Sequence, residues 1–186
     1  MRGSSSRPID DATLDLVTAH YARPREDEEK FAGSVLVFRI GSEWLALPTV
    51  LFDRVTGAQT AHALPHRRSG MLAGLVTVGG DLVVHLSLAA LLGIDADGVA
   101  PAAASTQQRA PVRRLIVLAN QRGRLAATVD DVWGVYHYRD AQQRPVPSTL
   151  ARALVSYTTS ILDVEGRAVG CLDGARVMDA LSGALA

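Results

Sequence analysis

One cysteine, one lysine and an aromatic content of only 5% mark this 186-residue sequence before any motif does. Cys171 stands alone, so no disulfide forms within the chain and no cysteine pair is available to build a zinc site. Lys30 is the single lysine among 19 basic residues, and 19 acidic residues bring the formal charge to zero. A neutral chain has no global field to gather nucleic acid or an anionic membrane surface. Long apolar runs are missing too. The most apolar stretch, residues 71–94, is interrupted by Gly79-Gly80-Asp81, His85 and Ser87, which makes it a poor membrane span. Residues 1–15 lack the apolar segment of a secretory signal, and a cytoplasmic chain is expected.

What is present is material for a packed interior, with 48% hydrophobic residues and a length suited to one ordinary domain or two very small ones. Residues 1–7 read as a flexible end. Leu14, Val17 and Tyr21 then recur at helical spacing, with Asp10 or Asp11 as cap and Arg23-Pro24 as stop. The charged run REDEEK (residues 25–30) reads as a solvated linker, so a tail of residues 1–30 precedes a compact domain of residues 31–186. Inside that domain the strand signal dominates. Residues 34–40 are rich in β-branched and aromatic side chains, Gly41-Ser42 turns the chain, and residues 44–47 resume it up to Pro48. Gly79-Gly80 joins two more strands in a second hairpin. One or two helical turns follow from Ser87 and end at Gly93. Residues 95–111 have the composition of an exposed linker.

The pattern then repeats. Leu45-Ala46-Leu47 returns as Leu125-Ala126-Ala127, and Phe52 and Val55 return as Val132 and Val135, each 80 residues later. The hairpin around Gly80 returns around Gly166, 86 residues later, with Val76, Val78, Val83 and Leu86 becoming Leu162, Val164, Val169 and Leu172. Two copies of short strands with glycine turns favour a mainly β fold of paired small barrels over any βαβ arrangement.

A search for chemistry finds no catalytic constellation. His62 and His66 are four apart, but Pro65 lies between them and they supply only two of four metal ligands. His85 lies on an apolar strand and reads as a half-buried core residue. Asp130 and Asp131 are neighbours whose side chains leave a strand on opposite faces, so they do not share one site. Cys171, between Gly170 and Leu172, reads as buried and inert. Gly79-Gly80 lacks the lysine and spacing of a phosphate loop. No cofactor and no metal are expected, and the aromatic residues Phe52, Trp133, Tyr136 and Tyr138 divide between core packing and interface use.

Four segments carry a resemblance: VFRIGSEWLALP (residues 37–48), LPHRRSGMLAGLVTVGGDLVVHLSLAALLG (64–93), ATVDDVWGV (127–135) and ILDVEGRAVGCLD (161–173). In this order they resemble the CheW-like family of chemotaxis coupling proteins, over nearly all of residues 31–186. The resemblance implies two five-stranded, SH3-like barrels packed side by side, with short helices. It implies a non-enzymatic adaptor that is cytoplasmic but associated with membrane-bound receptor complexes. Its expected partners are the cytoplasmic tip of a chemoreceptor and the CheW-like domain of a CheA-type histidine kinase, with a second coupler as a further candidate. Carried over position by position, a receptor-binding groove between the barrels would involve Phe52, Gly74, Val132 and Val135, the glycine admitting a helix backbone at close range.

Two positions depart from the family pattern. Arg54 stands where an acidic residue is common, and Gly79 where an arginine precedes the turn glycine, so both members of a charged pair are changed at the groove. Val84 and Ser87 likewise replace a proline and an aspartate. Together with SLAALLG, VWGVYHY and RPVPSTLARAL (residues 144–154), these features resemble the Wsp-type, WspD-like subgroup, whose pathway controls c-di-GMP and biofilm formation. The alternatives are a coupler of an ordinary flagellar array, a small-ligand or metal-binding barrel using His62 and His66, and, more weakly, an RNA-binding barrel.

Overall fold

The structure, a computed structural model, describes residues 31–64, 70–95, 112–121, 123–147 and 152–184. The helix expected near residues 14–21, the linker beyond residue 95 and His66 lie outside the described residues. The domain runs β1 (Gly33–Ile40), β2 (Glu43–Pro48), a 3-10 turn (Thr49–Leu51), β3 (Phe52–Gly57), β4 (Leu72–Val78), β5 (Asp81–Leu86) and α1 (Leu88–Leu92). Its second half runs β6 (Arg114–Asn120), β7 (Gly123–Val129), β8 (Asp131–Tyr138), a 3-10 turn (Asp140–Gln142), β9 (Gln143–Arg144), α2 (Arg152–Tyr157), β10 (Thr158–Val164), β11 (Arg167–Leu172) and α3 (Gly174–Gly183).

The turns follow their residues. Gly79 and Gly80, at φ +61° and +94°, close the β4–β5 hairpin with the positive φ values that a tight hairpin turn requires. Ser87 caps α1, its hydroxyl accepting the Ala90 N–H at 3.1 Å, and Gly93 ends it in the left-handed conformation. Asp173 caps α3 in the same way through the Arg176 N–H.

Two sheets result, ordered β8-β1-β2-β11-β10-β9 and β3-β6-β7-β5-β4. Each curls into a barrel. In the first, β9 continues β8 around a corner and pairs with β10. In the second, the chain beyond β3 returns at His62, which exchanges two backbone hydrogen bonds with Leu75 of β4 at 2.8 and 2.9 Å. The fold is the expected pair of SH3-like barrels, but the barrels do not coincide with the sequence repeats. The β1–β2 hairpin leaves its own half and lies parallel to β11, while the β6–β7 hairpin lies parallel to β5. Each half therefore lends its first hairpin to the other, and the two strand orders match except for β9, the short strand that gives the first sheet six strands where five were expected.

Composition explains why those hairpins sit centrally. Leu45-Ala46-Leu47 and Leu125-Ala126-Ala127 are continuous apolar runs without polar alternation, the pattern of a strand covered on both faces. Ala46 faces a core built only from first-sheet strands, with Val35, Val37, Leu162, Val164, Val169 and Cys171. Ala126 faces its counterpart in the second barrel, with Val76, Val78, Val83, Leu115 and Val117. Leu45, Leu47, Leu125 and Ala127 turn the other way, into a large core shared by both sheets and the helices, where Phe38, Leu86, Leu88, Ile116, Val177 and Leu181 are fully buried. This shared core fixes one barrel against the other.

Candidate partner-binding surface

The strands that begin with Phe52 and with Asp131 are equivalent by repeat, and both are edge strands: β3 borders the second sheet and β8 the first. Each carries a β-bulge at the same place. Phe38 pairs with Val132 and Val37 with Gly134, leaving Trp133 as the extra residue. Leu118 pairs with Phe52 and Val117 with Arg54, leaving Asp53 extra. A bulge restores the facing that an odd spacing would reverse. Val132 and Val135, three apart, therefore lie on one face, opposite Phe38 and Leu36. Phe52 and Val55 do the same opposite Leu118 and Ile116.

Phe52 and Val132 are half-buried and pack on the shared core. Val55 and Val135 follow them outward and are 39% and 57% exposed. Val50, in the turn leading into β3, is 86% exposed. The two edge strands thus present a graded apolar strip, anchored in the inter-barrel core and open to solvent at its rim. Val55 and Val50 were missed from sequence. The repeat already paired Val55 with Val135, but the bulges that turn both outward leave no sequence signature.

Arg54 and Gly79 are brought together. A side chain at position 79 would begin 2.9 Å from the Arg54 guanidinium, so the two departures from the family pattern are physically one change. Arg54 also pairs with Asp53 at 3.4 Å, and Asp53 and Asp81 both bind Arg124, at 2.7 and 2.9 Å. This network ties β3, β5 and β7 together beside the glycine turn and neutralises its own charge.

Gly74 serves the closure of the second barrel. Its φ is +141°, and a Cβ there would collide with the His62 carbonyl. The close approach that this glycine permits within the chain is that of its own backbone, closing the second barrel. His62 takes part in that closure through its main chain. Among the described residues no cluster of three His, Cys, Asp or Glu side chains is placed to hold a metal.

The remaining polar residues are structural in their contacts. Asp130 accepts the Gly41 N–H at 2.7 Å and pairs with Arg113 at 3.4 Å, pinning the β1–β2 turn to the other half of the chain. Asp131 accepts the N–H of Val132. His85 is 9% exposed, bonds Thr128 through Nε2 at 3.0 Å and leaves Nδ1 without a partner. Burial lowers its pKa below the usual 6.5, keeping the ring neutral. Asp130, Arg113, His85 and Thr128 line a recess of about 170 Å³ with Ile40 and Ser87. The Cys171 thiol is pushed up to about 11 by burial, the value of an unreactive thiol. No described helix is long and apolar enough to cross a membrane.

Comparison with known proteins agrees with this architecture. A family model described as CheW-like domain matches residues 34–182. The crystal structure of the scaffolding protein TtCheW from Thermoanaerobacter tengcongensis is similar at a TM-score of 0.58 and 14% sequence identity, over 76% of this chain and 88% of that one. A search of the curated proteins gives no match. With two interlocked SH3-like barrels and a family match across nearly all of the domain, the chain belongs to the CheW-like family.

Proposed function

We propose that the chain is a non-catalytic coupling adaptor that joins the cytoplasmic tip of a chemoreceptor to the CheW-like domain of a CheA-type histidine kinase. One observation carries the reading: two equivalent bulged edge strands place Phe52, Val55, Val132 and Val135 on outward-graded apolar faces anchored in the inter-barrel core. A receptor tip is an antiparallel helical hairpin, and an apolar strip of this kind accepts the apolar face of a helix. Arg54 and Gly79 border the strip and set its charge preference. Gly74 supports it indirectly, by closing the barrel that carries β3.

The pathway we propose is Wsp-like, with an output through c-di-GMP to surface-attached growth. It is supported by the joint replacement of the family's charged pair by Arg54 and Gly79. Calorimetry of the full chain against a receptor hairpin and against a CheA-type kinase tests the adaptor: both bind, and neither competes with the other. Absence of both complexes at tens of micromolar, a normal range for transient signalling contacts, contradicts it. Deleting the gene tests the pathway. Altered c-di-GMP with normal swimming supports the Wsp-like reading, and a swimming defect with unchanged c-di-GMP replaces it with a flagellar array.

A further inference from the structure

The internal repeat supplies its own control surface. Arg124, Asp53 and Asp81 form the ion network at one end of the second barrel, and the same three places in the first barrel are held by Trp44, Trp133 and Arg167. Trp133 is the bulged residue of β8 as Asp53 is of β3. The two indoles meet edge to face at 6.0 Å. The Arg167 guanidinium lies 4.3 Å from the centre of Trp133 and 5.0 Å from that of Trp44, and the Arg39 guanidinium lies 6.0 Å from the centre of Trp44. Trp133 remains 45% exposed.

The two ends differ in charge balance. In the second barrel every cation of the network meets a carboxylate. In the first barrel neither Arg39 nor Arg167 has a carboxylate within ion-pair distance among the described residues, and Arg39 spends one N–H on the Gly41 carbonyl at 2.7 Å. A guanidinium held against aromatic faces by cation–π attraction still has N–H donors to offer, and these match a carboxylate in two-pronged geometry. The surrounding indole surface takes an apolar neighbour.

We propose that the Trp44–Trp133–Arg167 end of the first barrel, with Arg39, is a docking site for an acidic segment of a partner protein, one carboxylate flanked by apolar side chains. It goes beyond the receptor-groove reading and does not depend on it. Trp44 packs with the first barrel's own core, whereas Val132 packs on the shared core, so the two surfaces lie on opposite faces of the first sheet. Aromatic rings with arginine also suit single-stranded nucleic acid. Two cations on a neutral chain are too few to track a phosphate backbone, which favours the acidic peptide.

Trp44 and Trp133 are the only tryptophans of the chain, so fluorescence excited selectively at tryptophan reads this site alone. The full chain is titrated with a peptide alternating glutamate and leucine, with a glutamine–leucine peptide as control and oligothymidylate as the competing probe. The expected result is a saturable emission change with the glutamate peptide only. It weakens as salt rises from about 0.1 M to about 1 M and weakens about tenfold in Arg167→Ala, the scale of one charge-assisted contact. Arg167→Lys recovers part of it, and unchanged thermal melting shows that the variants fold. A change seen equally with the glutamine peptide, retained in Arg167→Ala, produced by oligothymidylate alone, or absent altogether overturns the proposal.

Discussion

Gly74→Ala isolates the closure of the second barrel. Alanine there meets two costs. The φ of +141° is outside the range that L side chains adopt comfortably, a strain of about 1–3 kcal/mol. The new methyl also occupies the place of the His62 carbonyl, so the bridge to Leu75 must open, giving up two backbone hydrogen bonds worth about 1 kcal/mol each. The total is about 3–5 kcal/mol. Gly80→Ala is the matched control, because its φ is +94° but nothing lies within 4 Å of its Cβ position, leaving strain as the only cost. Urea unfolding followed by circular dichroism should separate the two variants by about 2 kcal/mol, a midpoint difference of about 1 M at a slope of about 2 kcal/mol/M. Equal destabilisation of the two variants would refute the closing role of His62.

Three further outcomes follow from buried groups. His85 has a pKa lowered by burial, so the unfolded chain takes up a proton at about 6.5 while the folded chain still resists it. Stability should therefore be intact above that pH and fall as pH drops through it, by at most about 1.4 kcal/mol per pH unit. Urea midpoints compared at about pH 7.5 and about pH 5.5 should differ less in His85→Leu than in the parent chain. Cys171, with a thiol raised to about 11, should stay unreactive toward an aromatic disulfide reagent at neutral pH and titrate as one thiol on unfolding. Phe38 is fully buried in the core shared by both barrels, and Phe38→Ala should cost about 3–5 kcal/mol in the same urea assay.

Much of this fold was legible because its punctuation is chemical. Gly79-Gly80 announced a hairpin, Ser87 and Gly93 bounded a helix, and the 80- and 86-residue offsets anticipated a register that the strands obey residue by residue. The exchange of hairpins was not legible, since Leu45-Ala46-Leu47 says that a strand is covered on both faces but not which half covers it. The bulges were equally silent. The 80-residue offset already pairs Trp133 with Asp53, but only the backbone reveals both as bulged residues. The closing role of Gly74 was hidden for a related reason: a glycine marks close approach without naming what approaches, and within this chain it is the carbonyl of His62. Arg54 and Gly79 were visible as departures, but their contact depends on how β3 meets the β4–β5 turn in the folded barrel.

The adaptor reading is tested most directly by the affinity of a receptor hairpin for Val135→Glu. Val135 is 57% exposed on the outward face that Val132 anchors, so the variant should fold, with a melting temperature near that of the parent. A carboxylate forced against an apolar helix costs about 2 kcal/mol or more, which weakens receptor binding about thirtyfold, while kinase binding is retained. Unchanged receptor affinity in a folded Val135→Glu chain would contradict the groove.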